Sequence, residues 1–318
     1  MCWLTARRAW PGLPCLFAIR WRATSGWLGR LDMICATEPA APGWLARLGM
    51  RVVRRQSVER VPDARLKNSL SASQVASFLN GGVSLGRVAL VTGGTGALGG
   101  SVTRRLLEDG HRVAVTCVHD GEVESLRAEL GEAGSGLVVV KADVTDERSV
   151  GRAVGEVRGQ LGAVEVLVHL VGGWHGGESV HDHSLETWQR IVDLNLTSAF
   201  LSCRAVLPEM LEASWGRVVL VSSRTAKEGR VGQCAYAVAK EGVATLAEVI
   251  AEECCGSGVT ANVIAPSVLD TPANRRAMPS ADVTRWVSPD VAAAMVAFLV
   301  SDEAGTLRGA WLPVFGSA

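Results

Sequence analysis

Seven short apolar runs punctuate the chain beyond residue 86, at 88–91, 112–118, 137–141, 164–170, 217–221, 260–264 and 310–314. They are rich in β-branched residues and do not alternate with polar ones, the pattern of strands covered on both faces. Between them lie amphipathic stretches at 98–109, 121–131, 146–159, 185–213, 235–255 and 288–301, read as helices. Strand and helix in regular alternation predict an α/β fold: a doubly wound parallel sheet, or Rossmann fold. One domain over 87–318 accommodates all of it, with no internal repeat and no second folded domain expected.

Residues 1–86 have a different character. They hold 12 Lys and Arg against 4 Asp and Glu, a net of +8, which the remainder offsets with −8 to give a neutral chain. Five of the ten tryptophans and five of the eleven prolines also lie there. This segment reads as an N-terminal extension, disordered or upstream of a later start such as Met33 or Met50. The alternative is mitochondrial targeting: residues 1–31 carry five arginines and no acid. Pro11 and Pro14 break the apolar stretch that a secretory signal needs. No apolar run approaches the ~18 residues of a membrane span, and overall neutrality gives no case for nucleic acid. The eight cysteines show no metal-binding spacing, and adjacent Cys254 and Cys255 read as helix residues. A reducing, cytoplasmic compartment is expected.

The first strand of the domain runs into Thr92, Gly93, Gly94, Thr95, Gly96, Ala97, Leu98 and Gly99, and positions 94–99 satisfy G-x-G-x-x-G. Glycines there permit a tight turn and let backbone N–H groups approach a pyrophosphate at a helix N-terminus. Strand before and helix after make this a dinucleotide site. An acid at the end of the second strand would hold the ribose of NAD, but Cys117 stands near that place, flanked by Thr116 and His119. The cofactor is therefore NADP or NAD, with a lean to NADP. Asp143-Val144 ends the third strand; that carboxylate either accepts from the adenine amino group or belongs to a helix N-cap region.

The chain has a single tyrosine, Tyr236, four residues before Lys240. On a helix the two share a face, and an ammonium at that distance lowers a phenol pKa. Tyr236 is thereby a candidate proton donor.

These segments together resemble the short-chain dehydrogenase/reductase family: Thr92 to Gly99, Asp143-Val144, Asn195, Ser223 thirteen residues before Tyr236, and Lys240. The resemblance covers nearly all of 87–318. It implies hydride transfer between a nicotinamide and a carbonyl, with Tyr236 as acid, Ser223 holding the substrate oxygen, Lys240 binding the nicotinamide ribose and Asn195 holding a water. Gly172 and Pro266 would line the cofactor. It also implies a homodimer or homotetramer built on helices 185–213 and 235–255. The family's usual Asn-Asn-Ala-Gly is His169-Leu170-Val171-Gly172 here, a loss of amides expected to weaken one support of the sheet.

Two segments, 171–177 with Trp174 and 269–279 with Asn274, followed by Trp286, resemble dihydropteridine reductases, a branch of that family. That branch lacks the serine at the place of Ser223. The reading is a carbonyl reductase acting on a ketone, aldehyde or 3-oxoacyl thioester. The alternatives are reduction of a quinonoid pterin, or a non-catalytic dinucleotide-binding regulator. His175, His181 and His183 with Asp182 are read as solvated loop residues, not a metal site.

Overall fold

The computed structural model describes residues 86–317 and, before them, three short strands: β1 (Ala6–Arg8), β2 (Phe17–Arg22) and β3 (Arg30–Cys35). These three pair antiparallel in the order β1-β2-β3, with Ala6 opposite Ile19 and Arg20 opposite Asp32. The rest of residues 1–85 lies outside the described residues, and with it most of the targeting segment.

The domain sheet contains β4 (Val88–Thr92), β5 (Arg112–Cys117), β6 (Val138–Lys141), β7 (Val166–His169), β8 (Gly216–Val221), β9 (Val259–Pro266) and β10 (Trp311–Val314). Its order is β10-β9-β8-β7-β4-β5-β6, every pairing parallel. Side chains alternate between two buried faces. Val88, Leu90, Leu167, Val218 and Leu220 belong to one core, and Ala89, Val91, Val166, Val168 and Val219 to the other. Burial on both sides is why the strands read as continuous apolar runs.

Helices cover the two faces: α1 (Ala97–Glu108), α2 (Asp120–Leu130), α3 (Glu147–Leu161), α4 (Leu185–Val192), α5 (Ser198–Glu212), α6 (Arg224–Glu228), α7 (Cys234–Glu253), α8 (Pro272–Ala277) and α9 (Pro289–Val300). Side-chain caps start several of them. Asp146 accepts from Ser149 N at 2.8 Å before α3, and Ser184 from Thr187 N at 3.1 Å before α4. The short α6 and α8 escaped the sequence reading, because five or six residues carry too little periodicity. Helix α7 ends at Glu253, so Cys254 is its C-cap rather than a helix residue.

The stretch read as one helix over 185–213 is interrupted by a π-turn, Asp193–Thr197. Side chains supply the reason. Asn195 Nδ2 donates to the Ile191 carbonyl at 2.9 Å and Ser198 Oγ to that of Leu194 at 2.6 Å, while Thr197 Oγ1 donates to Asp193 Oδ1 at 3.0 Å. Leu185–Glu212 spans 28 residues and is apolar enough, by length and composition, to cross a membrane. Here it lies against the sheet, with Ile191, Ala199, Cys203, Val206 and Met210 in or near zero exposure.

Strand order reverses between β4 and β7, whose carboxyl ends lie side by side with Thr92 opposite His169. Ligands of open parallel sheets bind at this crevice.

Candidate active site

The glycine turn leaves β4 at Gly93, whose φ is +71°, a left-handed value that suits glycine. A Cβ on Gly94 would lie 2.4 Å from Val115 Cγ1, and one on Gly99 2.2 Å from the Gly93 carbonyl oxygen. Neither position admits a side chain. Helix α1 then begins at an N-cap, Gly96, with no side-chain cap and no acid in its first turn. Its leading N–H groups and its dipole are left for an anion, as a pyrophosphate requires. Gly96 and Ala97 are exposed there, and Leu98 is half-buried. The turn fits the dinucleotide.

Around it, Thr95 Oγ1 donates to Glu122 at 2.9 Å. Thr116 is buried beneath the turn and accepts from Gly93 N at 3.2 Å, so it braces the loop from inside. Thr92 is also buried, its hydroxyl turned to His169. Asp143 is exposed, and its Oδ1 accepts from Thr145 N at 2.9 Å and Thr145 Oγ1 at 2.6 Å, which holds its carboxyl below the usual range. The cap of α3 is Asp146 instead, so Asp143 forms a turn ahead of the helix with Val144 buried behind it. Pro266 closes β9, buried at the strand's end.

Tyr236 and Lys240 lie on α7, and Ser223 is the N-cap of α6, with Oγ accepting from Thr225 N at 3.2 Å. Ser223 also hydrogen-bonds Tyr236. Lys240 is buried, donates from Nζ to the Val221 carbonyl at 2.9 Å, and lies 5.9 Å from the centre of the Tyr236 ring. The expected lowering of the Tyr236 pKa by Lys240 does not occur in the protein alone. Burial pushes the phenol up, and only the Ser223 hydrogen bond pulls it back. Burial also lowers Lys240 to about 8, which leaves it a cation at neutral pH.

Asn195 completes the group from the π-turn. It has no exposure; its Oδ1 accepts from Gly173 N at 3.1 Å and its Nδ2 donates to Gly173 O at 2.9 Å. A Cβ on Gly172 would stand 2.6 Å from Asn195 Oδ1 and 2.9 Å from Lys240 Nζ. Glycine at 172 thus lets the loop after β7 pass between two polar side chains. The fold brings Gly172, Asn195, Ser223, Tyr236 and Lys240 to one place.

Two supports went unread in the sequence. Ser222 is buried and donates to the Lys240 carbonyl at 2.7 Å, tying β8 to α7. His169 is buried with Nδ1 2.8 Å from Thr92 Oγ1 and Nε2 3.1 Å from Ser198 Oγ. Ser198 spends its proton on Leu194 O, so His169 Nε2–H donates to Ser198 and Thr92 donates to Nδ1. Burial, with Lys240 secondary, holds His169 near pKa 3 and therefore neutral. The imidazole thus links the ends of β4 and β7 to the start of α5.

The substrate-loop residues divide. Asn274 works inside its loop, its Nδ2 donating to Leu269 O at 2.8 Å. That loop is closed at its base by Asp270 N to Val287 O and Val287 N to Val268 O, with Trp286 half-buried beside it. Trp174 is 63% exposed, its ring over Gly176. Of the loop histidines, His181 is solvated as expected, paired with Asp182 at 3.3 Å. His183 is not: its side chain is 5% exposed and turned, like His175, toward Glu178. Sequence spacing gave no sign of this, because the three residues meet only through the loop's path.

Known proteins resemble this chain. The short chain dehydrogenase family matches residues 87–281. The chain is 33% identical to an acetoacetyl-CoA reductase of Allochromatium vinosum over 73% of this chain and 98% of that protein. It is 34% identical to the 3-oxoacyl-[acyl-carrier-protein] reductase MabA of Mycobacterium tuberculosis, over 72% and 92%. An actinorhodin polyketide ketoreductase solved with NADPH superposes with a TM-score of 0.68 at 29% identity, over 73% of this chain and 96% of that one. The chain belongs to the short-chain dehydrogenase family and is an oxidoreductase that moves hydride between a nicotinamide cofactor, NAD or NADP, and a carbonyl or alcohol.

Proposed function

We propose that the chain is a carbonyl reductase in which Ser223, Tyr236, Lys240 and Asn195 carry the chemistry, with a 3-oxoacyl thioester as the first substrate to test. The hydrogen bond between Ser223 and Tyr236 beside a buried Lys240 carries this reading. Bound nicotinamide supplies the hydride. Ser223 Oγ–H donates to the carbonyl oxygen and fixes it near Tyr236. As hydride reaches the carbon, that oxygen gains charge and takes the Tyr236 proton. The phenol keeps its proton at neutral pH, as an acid in this direction must, although the upward shift makes it a weaker donor. Lys240, lowered to about 8, exchanges protons readily near neutrality and restores the phenol. Asn195 holds the Gly173 backbone and a water that leads to solvent. The turn from Gly93 to Gly99 would hold the cofactor's pyrophosphate, with Asp143-Val144, Gly172 and Pro266 lining the rest of its site.

NADP is the favoured cofactor because Cys117 offers no carboxylate to the ribose diol. Asp120 and Glu122 act against it, being close enough to raise the Cys117 pKa after burial does so. Titration with NADPH and NADH decides, and tighter NADH binding overturns the lean. Exposed Leu185, Phe200, Leu211, Val238 and Val249 on α4, α5 and α7 support a homodimer or homotetramer, to be read by light scattering. A cytoplasmic location, or mitochondrial delivery by residues 1–31, is tested by sequencing the N-terminus of the native protein.

The decisive experiment follows NADPH and NADH oxidation with acetoacetyl-CoA, a simple ketone, an aldehyde and quinonoid dihydropterin, for wild type and Tyr236→Phe. Thioester or ketone turnover lost in Tyr236→Phe supports the reading. Pterin turnover alone favours the second reading, suggested by the loop of Trp174 and 269–279. Cofactor binding without turnover of any substrate leaves a regulator.

A further inference from the structure

The loop after β7 gathers a half-buried cluster outside the proposed chemistry. His175, Glu178 and His183 bring their ligand atoms within 4.8 Å of one another. His175 Nε2 lies 3.7 Å and His183 Nδ1 2.9 Å from Glu178 Oε2. Tetrahedral coordination by bonds near 2.0–2.1 Å separates ligand atoms by about 3.3 Å, and these two separations bracket that figure. The buried nitrogens are not otherwise engaged: among the described residues, His175 Nε2 and both ring nitrogens of His183 find no aligned hydrogen-bond partner. His183 Nδ1 is close to Glu178 yet not aligned with it as a donor. Two electron-rich atoms facing at 2.9 Å are held apart in energy unless a proton or a cation lies between them. The His183 side chain is 5% exposed, so water does not relieve it.

We propose that His175, Glu178 and His183 form a binding site for a divalent transition-metal ion of the zinc class, with its fourth position open to water. Two imidazoles and one carboxylate suit zinc, not calcium or magnesium, which prefer all-oxygen shells. The frame around the ligands is firm. Gly177 N donates to Gly232 O at 2.8 Å between His175 and His183, Asn195 grips Gly173, and His183 immediately precedes the Ser184 cap of α4. The ion would cross-link the loop that carries Trp174 to the start of α4, and so order one wall beside Lys240 and Asn195. This assignment does not depend on the substrate.

The test uses the full chain freed of metal with chelator, then titrated with Zn²⁺ by calorimetry and with Co²⁺ by visible absorption. One ion per chain at a dissociation constant on the order of 1 μM or tighter is expected. The cobalt spectrum should be that of a tetrahedral site with nitrogen and oxygen ligands. His183→Ala and Glu178→Gln should each weaken zinc by more than the roughly 10–100-fold that losing a second-shell partner costs. His181→Ala, on an exposed neighbour, should leave affinity unchanged. Wild-type binding weaker than about 100 μM, affinity indifferent to His183 and Glu178, or a thiolate-to-cobalt band placing the ion on cysteines would each overturn the site. Circular dichroism checks that the variants are folded, and should they not be, the wild-type cobalt spectrum decides alone.

Discussion

Acid should strike this protein through His169. The ring is buried and neutral, with a pKa pushed from 6.5 to about 3 mainly by desolvation. A depressed folded pKa gives stability that is present above 6.5 and lost as pH falls toward 3, because the unfolded chain takes up the proton first. From about pH 7.5 to about pH 5 the unfolded state gains roughly 1.5 pH units of proton uptake that the folded state refuses. At 1.36 kcal/mol per unit this is about 2 kcal/mol. The figure barely changes if the folded pKa is 4 instead of 3, since either lies well below 5. His169→Asn puts the family's common amide at the position, which cannot titrate; its packing cost is the same at both pH values and cancels. Urea unfolding of both proteins at the two pH values gives the comparison. Wild type should lose about 2 kcal/mol more than His169→Asn, near 1 M in midpoint for a slope of about 2 kcal/mol/M. His111, whose pKa burial also lowers, is common to both and cancels. Equal losses, to within about 0.5 kcal/mol, would refute a buried neutral His169.

Gly99→Ala should abolish cofactor binding or folding, since its Cβ would meet backbone at 2.2 Å; fluorescence titration with NADPH and a melting curve separate the two outcomes. Ser222→Ala removes the tie to the Lys240 carbonyl and should lower stability by about 1 kcal/mol, read by thermal melting, while Lys240 keeps its bond to Val221. Ser223→Ala should cut turnover by about 10²-fold or more with cofactor affinity retained, in steady-state rates beside binding titrations. Asn195→Ala strips three hydrogen bonds from a buried position. It should cost about 2–4 kcal/mol in denaturant unfolding, more than any of the other polar changes.

The strands were legible because burial on both faces leaves a plain signal: each apolar run from 88–91 to 310–314 lies on an observed strand. The meeting of Ser223, Tyr236 and Lys240 was legible as well, since their spacing is local to one strand end and one helix. What sequence hid was long-range. Nothing near His169 announces that Thr92 and Ser198 will flank it, 77 and 29 residues away. Glu178 looked like any loop acid until the chain's path set it against His183. The direction of the Tyr236 pKa was misjudged for the same reason. Spacing along a helix predicts which charges are neighbours, but not how far burial weakens them.

The π-turn at Asp193–Thr197 fixes a rotational phase. One residue advances an α-helix by about 100°, so the extra residue in this turn sets how α4 is rotated relative to α5. Deleting a single residue there would restore an unbroken helix and swing Trp188 and Ile191 a quarter-turn or more away from their present neighbours. Length in this segment is therefore a constraint in its own right: an insertion or deletion re-aims Asn195 and the whole start of the helix together.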